Sequence, residues 1–252
     1  MSLSKSSYIL ANEHLAPDVF RLTLHAPDIA VVARPGQFVM VRARESLDPL
    51  LRRPFSIHSR SADGNLTLLF KVIGKGTALL AKMKPGDSLD ILGPLGQGFA
   101  IASDQPVCLI GGGMGLAPLY FLAQELPCPK YALLGARNQA ELAPLAKLFA
   151  DLNCAVQLAT DDGSLGHHGF IPDLLDTVLP KVSKVYTCGP SPMMRNVVKQ
   201  CQKTKIPCQV SMETHMACGM GACLGCVLPG VDGQQVHVCT DGPVFNAEAL
   251  PW

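Results

Sequence analysis

Hydrophobic and polar positions change rhythm twice along the 252 residues of this chain. In the first hundred residues, short segments mix β-branched, aromatic and apolar residues: VFRLTLHAP (19–27), QFVMVRA (37–43), FSIHSR (55–60) and NLTLLFKVI (65–73). Turn signals at Pro35-Gly36, Asp63-Gly64-Asn65 and Pro85-Gly86-Asp87 separate them. Strands at such short, regular spacing predict an antiparallel barrel or sandwich over residues 1–101.

From Pro106 the rhythm becomes strand–helix–strand. VCLIGGG (107–113), KYALLGAR (130–137), AVQLATDDG (155–163) and KVYTCGP (184–190) read as strands. LAPLYFLAQEL (116–126), ELAPLAKLFADL (141–152), IPDLLDTVL (171–179) and SPMMRNVVKQCQ (191–202) carry helical spacing between and after them. This alternation predicts an α/β domain over 102–210, with a mainly parallel sheet covered on both faces. A short segment, 211–252, is rich in glycine and cysteine and forms a third, small C-terminal domain in this reading.

Composition narrows the function. Apolar residues make up 48%, enough for a sizeable core, and the formal net charge of +1 offers no electrostatic case for nucleic acid or an anionic membrane. The opening MSLSKSSYIL lacks the apolar stretch and cleavage site of a secretory signal, and no run approaches the length of a spanning helix. A soluble cytoplasmic protein is expected.

Three features carry candidate chemistry. The first is IGGGMGLAPL, which places Gly111, Gly112, Gly113 and Gly115 between a strand and a helix, where free N–H groups and the helix dipole favour phosphate. A second turn, Cys188-Gly189-Pro190, also follows a strand, which is expected to put both at the border of one crevice at the carboxyl ends of the sheet. A plain strand-to-helix turn is the alternative, though two such turns in this order favour a nucleotide. The usual acidic residue some twenty positions on is missing. Arg137 could meet a ribose phosphate or lie at the surface, so NAD and NADP stay undecided.

The second feature is LLRRPFSIHS. Arg53, Pro54, Phe55 and Ser56 set a fixed cation, a rigid turn, an aromatic face and a hydroxyl in four residues, groups that suit a flavin dinucleotide. Singly, Arg53 is a surface charge and Phe55 a core aromatic. Downstream, Gly74 to Thr77 open an apparent helix, ALLAKM, whose start suits phosphate.

The third is ACGMGACLGC. Of ten cysteines, Cys108, Cys128, Cys154, Cys188, Cys201 and Cys208 are scattered and read as buried small hydrophobes. Cys218, Cys223, Cys226 and Cys239 follow C-x4-C-x2-C-x12-C, with Gly219, Gly221 and Gly225 between them. This spacing suits a 2Fe-2S cluster of the plant type, each tetrahedral iron taking two thiolates. Zinc prefers two short, well-separated pairs, and disulfide frameworks belong to small secreted domains. His215 and His237 nearby read as supports or surface residues.

A barrel with R-P-F-S and G-x-G-T, then an α/β domain with GGGMG and CGP, resembles the ferredoxin–NADP reductase superfamily over about residues 5–210. Phe55 stands where that family usually has tyrosine, keeping the ring and losing a hydroxyl. The resemblance implies that Arg53 to Ser56, Leu69, Phe70, Lys71, Gly76 and Thr77 bind FAD. It assigns the nicotinamide nucleotide to Gly111, Gly112, Gly113, Gly115, Cys188, Gly189 and Pro190.

With METHMACGMGACLGC, VCTDGPVF and the TDDGS of 160–164 added, the whole chain is similar to the family of dihydroorotate dehydrogenase electron transfer subunits. That likeness implies a partner: an FMN-containing catalytic subunit that oxidises dihydroorotate for pyrimidine biosynthesis, in a heterotetramer of two subunits of each kind. Electrons would run from its FMN to the 2Fe-2S cluster, then FAD, then NAD+ as an exchangeable acceptor. The order follows from electron counts, since NAD+ takes only a hydride, a cluster passes single electrons and FAD does both. No side chain of this chain needs to serve as a catalytic acid or base. Two other readings are an NAD(P)H reductase subunit of a hydrogenase- or ferredoxin-linked complex, and a non-enzymatic zinc-stapled module.

Overall fold

A computed structural model describes residues 3–101 and 104–252. The expected boundary after residue 101 falls against residues 102 and 103, which lie outside the described residues.

Six strands close an antiparallel barrel. In chain order these are β1 (Leu3–Ala16), β2 (Val19–His25), β3 (Phe38–Arg42), β4 (Arg53–Arg60), β5 (Asn65–Lys71) and β6 (Ser88–Leu95), with α1 (Pro27–Ala30) after β2 and α2 (Lys75–Leu80) after β5. Around the barrel the order is β1-β2-β5-β4-β3-β6. Period-two alternation turns Leu22, Leu24, Val39, Val41, Ile57, Leu66, Leu68 and Ile91 into one interior cluster. Leu69 points the other way yet is 3% exposed, because the α/β domain covers that face.

Four of the six strands coincide with apolar segments of the sequence; β1 and β6 do not. β1 is long because its first half pairs with β6 and its second half with β2, which closes the barrel. Register shifts between Ile9 and Ala11 and between His14 and Ala16 break its alternation.

The α/β domain contains β7 (Val107–Gly112), α3 (Leu116–Glu125), β8 (Lys130–Ala136), α4 (Gln139–Ala150), β9 (Ala155–Thr160), β10 (His167–His168), α5 (Pro172–Leu175), β11 (Lys184–Cys188), α6 (Ser191–Thr204) and β12 (Cys208–Ser211). Every residue of β7 is buried, as a central parallel strand requires. Helices α3 and α4 cover one face through Leu119, Leu122, Leu142, Leu145 and Phe149. On the other face, α5 and α6 pack Leu175, Val197, Val198 and Cys201. The helix expected over 171–179 is shorter: α5 ends at Leu175, and a 3-10 turn follows at Leu179–Lys181.

The C-terminal segment adds a small hairpin, β13 (Val227–Pro229) with β14 (Gln235–His237), and then β15 (Val244–Asn246). β15 returns to the large sheet and pairs antiparallel with β12, so the seven-stranded sheet is mixed, in the order β10-β9-β8-β7-β11-β12-β15. The cysteine segment is thereby anchored at both ends on the α/β domain. Among the described residues no helix is long and apolar enough to cross a membrane.

Candidate functional site

From β7 the chain proceeds outward to β8 and β9, then crosses to β11 and β12 on the opposite side. The strand order therefore reverses between β7 and β11, where an open parallel sheet leaves a ligand crevice. Both glycine turns stand there. Gly111 is in register with Cys188, and a Cβ on Gly115 would sit 2.2 Å from the Cys188 carbonyl oxygen. A Cβ on Gly112 would sit 2.8 Å from the Met193 sulfur and 3.0 Å from the Pro190 ring. Gly189 adopts φ 153 and Gly113 φ 55. Only glycine lets these two turns approach so closely. Cys188 itself is fully buried. Its thiol is raised by that burial first and by the Glu213 carboxylate second, so it is a packed thiol rather than a nucleophile.

A cavity of about 300 Å³ lies where barrel, α/β domain and cysteine segment meet. The barrel contributes Phe38, Pro54, Phe55, Ser56, Leu69, Phe70, Lys71 and Thr77; the start of α3 contributes Met114 and Ala117; the segment before the cysteines contributes Met212, Glu213, Thr214 and Met216. Apolar and aromatic walls with a few polar groups are what a flat conjugated ring needs. Phe55 meets Phe70 edge-on at 5.7 Å, and Phe70 stacks on Phe20 at 5.7 Å. Lys71 is tied to Glu141 of α4 at 2.8 Å, which fixes the cavity rim to the α/β domain.

Arg53 and Gly76 stand outside that lining but beside each other. A Cβ on Gly76 would be 2.5 Å from Arg53 Nε, so the glycine lets the guanidinium lie across the start of α2. Arg53 also donates to the Leu51 carbonyl. Thr77 spends its hydroxyl on its own turn. It accepts from the N–H groups of Ile73 (3.0 Å) and Gly74 (3.1 Å) and donates to the Gly74 carbonyl (3.0 Å). The hydroxyl thus shapes the turn rather than standing free for phosphate.

Glu213 is open to solvent at the cavity yet crowded by protein on its other sides, and that crowding raises its carboxyl above the ordinary value. Neither Glu213 nor Ala117 is evident as a site residue from sequence. Their only signal is position: one lies just before the cysteine run, the other just after the glycine turn.

The cysteine loop has no ladder of its own. Its backbone donors go to sulfur instead: Met220 N–H and Ala222 N–H to Cys218 Sγ (3.4 and 3.3 Å), and Gly221 N–H to Cys239 Sγ (3.1 Å). Gly219 (φ 73) and Gly221 (φ 80) supply the left-handed turns that aim these donors. Burial alone would raise the Cys218 thiol, but N–H donors from Met220, Ala222 and Cys223 and the Cys223 thiol outweigh it and bring it down to about 7. Burial, then its neighbour Cys226, push Cys239 up to about 12.

The thiols act on one another: Cys223 lowers Cys218, and Cys226 and Cys218 raise Cys239. Among the described residues no three His, Cys, Asp or Glu side chains converge on a single-ion site. Four thiols in the spacing C-x4-C-x2-C-x12-C match the donor set of a dinuclear cluster, two thiolates to each iron. Cys223 is exposed and Cys226 and Cys239 are buried, so one edge of the site faces outward. His215 is exposed, whereas His237 supports the loop by donating its backbone N–H to Asp241 Oδ2 at 2.7 Å.

Comparison with known proteins agrees with this geometry. Residues 9–99 match the oxidoreductase FAD-binding domain, and residues 213–251 match the iron-sulfur cluster binding domain of dihydroorotate dehydrogenase B. Over the full length of both chains, this one is 41% identical to the dihydroorotate dehydrogenase B (NAD(+)) electron transfer subunit of Desulforamulus reducens. It is 40% identical to that of Geobacillus kaustophilus over 92% of this chain and 93% of the relative. Among solved structures, an NADH-dependent reduced ferredoxin-NADP oxidoreductase superposes with a TM-score of 0.88 at 31% identity, covering 98% of this chain and 90% of that one. A ferredoxin NADP+ reductase from Neisseria gonorrhoeae, with bound FAD and NADP, shares the fold at a TM-score of 0.65 and 20% identity, over 79% of this chain and 91% of that one. The chain belongs to the family of dihydroorotate dehydrogenase B (NAD+) electron transfer subunits.

Proposed function

We propose that this chain carries electrons from the FMN of a dihydroorotate-oxidising catalytic subunit, through its own 2Fe-2S cluster and FAD, to NAD+ in pyrimidine biosynthesis. The observation that carries this reading is the single cavity walled by β4, the start of α3 and the segment leading to Cys218. The residues of this cavity would hold a flavin, which would supply single-electron exchange with the cluster and hydride exchange with the nicotinamide.

The residues of the chain divide the work. Pro54, Phe55, Ser56, Leu69, Phe70 and Lys71 wall the flavin ring, and Arg53, across Gly76, takes the pyrophosphate. Gly111 to Gly115 and Cys188 to Pro190 receive the nicotinamide nucleotide. Cys218, Cys223, Cys226 and Cys239 hold the cluster, with its outward edge toward the partner. We assign the flavin domain to 1–101, the nucleotide domain to 102–210 and the cluster domain to 211–252. Ten cysteines and a thiolate-held cluster suit a reducing compartment, so we place the protein in the cytoplasm.

Arg53→Ala removes a charge-assisted contact worth about 1.5–3 kcal/mol, so FAD affinity should drop roughly ten- to a hundredfold. Flavin content after gel filtration reads this, and full retention counts against the role. Co-purification with an FMN-containing catalytic subunit, assayed for dihydroorotate-dependent NAD+ reduction, tests the whole reading. The likeness to a ferredoxin-linked reductase at 31% identity supports a second reading, a ferredoxin-coupled subunit. NAD+ reduction driven by reduced ferredoxin but not by dihydroorotate selects that one.

A further inference from the structure

The seam between barrel and α/β domain contains a buried histidine that the electron path does not use. Three residues of β4, each two apart, face successive parts of α3. Ser56 shares the cavity with Ala117, His58 meets Ala117 and Tyr120, and Arg60 lies over the Phe121 ring at 5.8 Å and 3.6 Å from Glu125. His58 is the most buried of the three, at 2% exposure. Its Nδ1 is 3.1 Å from the Ala117 carbonyl oxygen, and its ring stacks on Tyr120 at 4.4 Å and 18°.

Chemistry settles the proton. A carbonyl only accepts, so Nδ1 carries the hydrogen and Nε2 keeps a lone pair. Nε2 is buried with no partner, a cost the fold carries at this position. Burial first, with the Arg21 guanidinium adding to it, brings the imidazole down to about 4 against the opposing pull of Ala117. At neutral pH the ring is therefore an uncharged, single-tautomer donor.

The two ends of this contact matter. Ser56, two residues before His58, lines the proposed flavin site. Ala117 also lines it and follows the turn Gly113–Gly115 by two residues. The Nδ1–H···O bond thus joins the flavin strand to the helix whose start forms the nucleotide turn. Tyr120 extends the contact to α4, meeting Phe149 edge-on at 5.7 Å.

We propose that His58 is a positioning residue for hydride exchange: its bond to Ala117 and its stack on Tyr120 set the gap between the flavin strand and the nicotinamide turn. The inference rests on the flavin and nucleotide sites assigned above. The step it governs moves a hydride, one proton and two electrons, from dihydronicotinamide to oxidised flavin. That leaves NAD+ and a flavin holding both electrons and the hydrogen. A misplacement of the donor ring slows this step without weakening contacts to the rest of the nucleotide.

The test uses the FAD- and cluster-loaded chain, mixed with NADH without oxygen. His58→Leu should slow flavin bleaching at saturating NADH by about tenfold and weaken the long-wavelength flavin–nicotinamide charge-transfer band, while NADH affinity stays within about twofold. His58→Asn, which keeps a donor toward Ala117, should recover most of both. An unchanged rate and band in His58→Leu overturn the proposal, as do equal losses in the Leu and Asn variants or a loss confined to NADH affinity. If His58→Leu does not retain FAD, Tyr120→Leu, which removes the stack and the Phe149 edge contact but keeps the bond from His58 to Ala117, is read by the same criteria. A wild-type chain that NADH fails to bleach would instead defeat the nucleotide assignment, so the two failures are distinguishable.

Discussion

The glycine turns at 111–115 and 188–190 and the cysteine loop at 218–226 are both glycine-rich, but they are held in different ways. The turns stand on adjacent parallel strands, β7 and β11, whose ladder fixes their spacing before any ligand arrives. The cysteine loop contains no helix or strand, and its donors end on sulfur. The turns are set by the scaffold, and in the proposed function they receive an exchangeable nucleotide. The loop is completed by the cluster it holds. That division suits the two ligands, since NAD+ must leave after every turnover and the cluster must not.

Gly115→Ala strikes the scaffold side hardest. The new methyl would lie 2.2 Å from the Cys188 carbonyl oxygen and 2.6 Å from Gly189 N, both backbone, so β7 and β11 must part. NAD+ affinity should fall about a hundredfold with cluster spectra unchanged. Titration of NAD+ binding checks the first, and a matched loss of cluster signal would show that the two sites are not separate. Gly113→Ala is the control, because no atom lies within 4 Å of its Cβ and the strain of φ 55 alone costs about 1–2 kcal/mol.

Acid offers a second probe of the scaffold. The folded His58 imidazole titrates at about 4 against an ordinary 6.5, so between those values the unfolded chain binds more protons and stability rises with pH. The full contribution is present above 6.5. Taking the protein from pH 6.5 to 4 should remove roughly 3 kcal/mol that His58→Asn does not lose. Urea unfolding of both proteins across that range measures it, and parallel curves would refute it.

Gly221→Ala should give the smallest effect, confined to the loop. Its N–H bond to Cys239 Sγ is 3.1 Å, its φ is 80, and an added methyl meets only the Thr240 side chain at 3.1 Å. The loop should still bind its cluster, with a reduction potential displaced by roughly tens of millivolts. Redox titration followed by electron paramagnetic resonance reads the shift, and an unchanged potential would remove the N–H···S contact from the account.

The same contrast explains what the sequence made legible. The four cysteines lie within 22 residues and their spacing is itself a chemical pattern, so an iron-sulfur domain was legible without a fold. Arg53 to Ser56 and the glycine turns stand out in the sequence because each packs unusual residues into a few positions. β1 was not, since its two register shifts hide the alternation. Glu213, Ala117 and His58 gain meaning only when β4, α3 and the pre-cysteine segment converge, and no local pattern announces that. Thr77 lines the cavity, while its hydroxyl is engaged within its own turn, a pairing that the sequence does not announce.

The central claim is that electrons enter through the cluster and leave through the nucleotide site. Cys223→Ser, at the exposed ligand, is the direct measurement in the complex reconstituted with the catalytic subunit. Dihydroorotate-dependent NAD+ reduction should fall by about a hundredfold or more. Oxidation of NADH by the flavin, assayed with an artificial acceptor, should persist. Undiminished dihydroorotate-to-NAD+ transfer in a variant shown to lack the cluster would contradict the account.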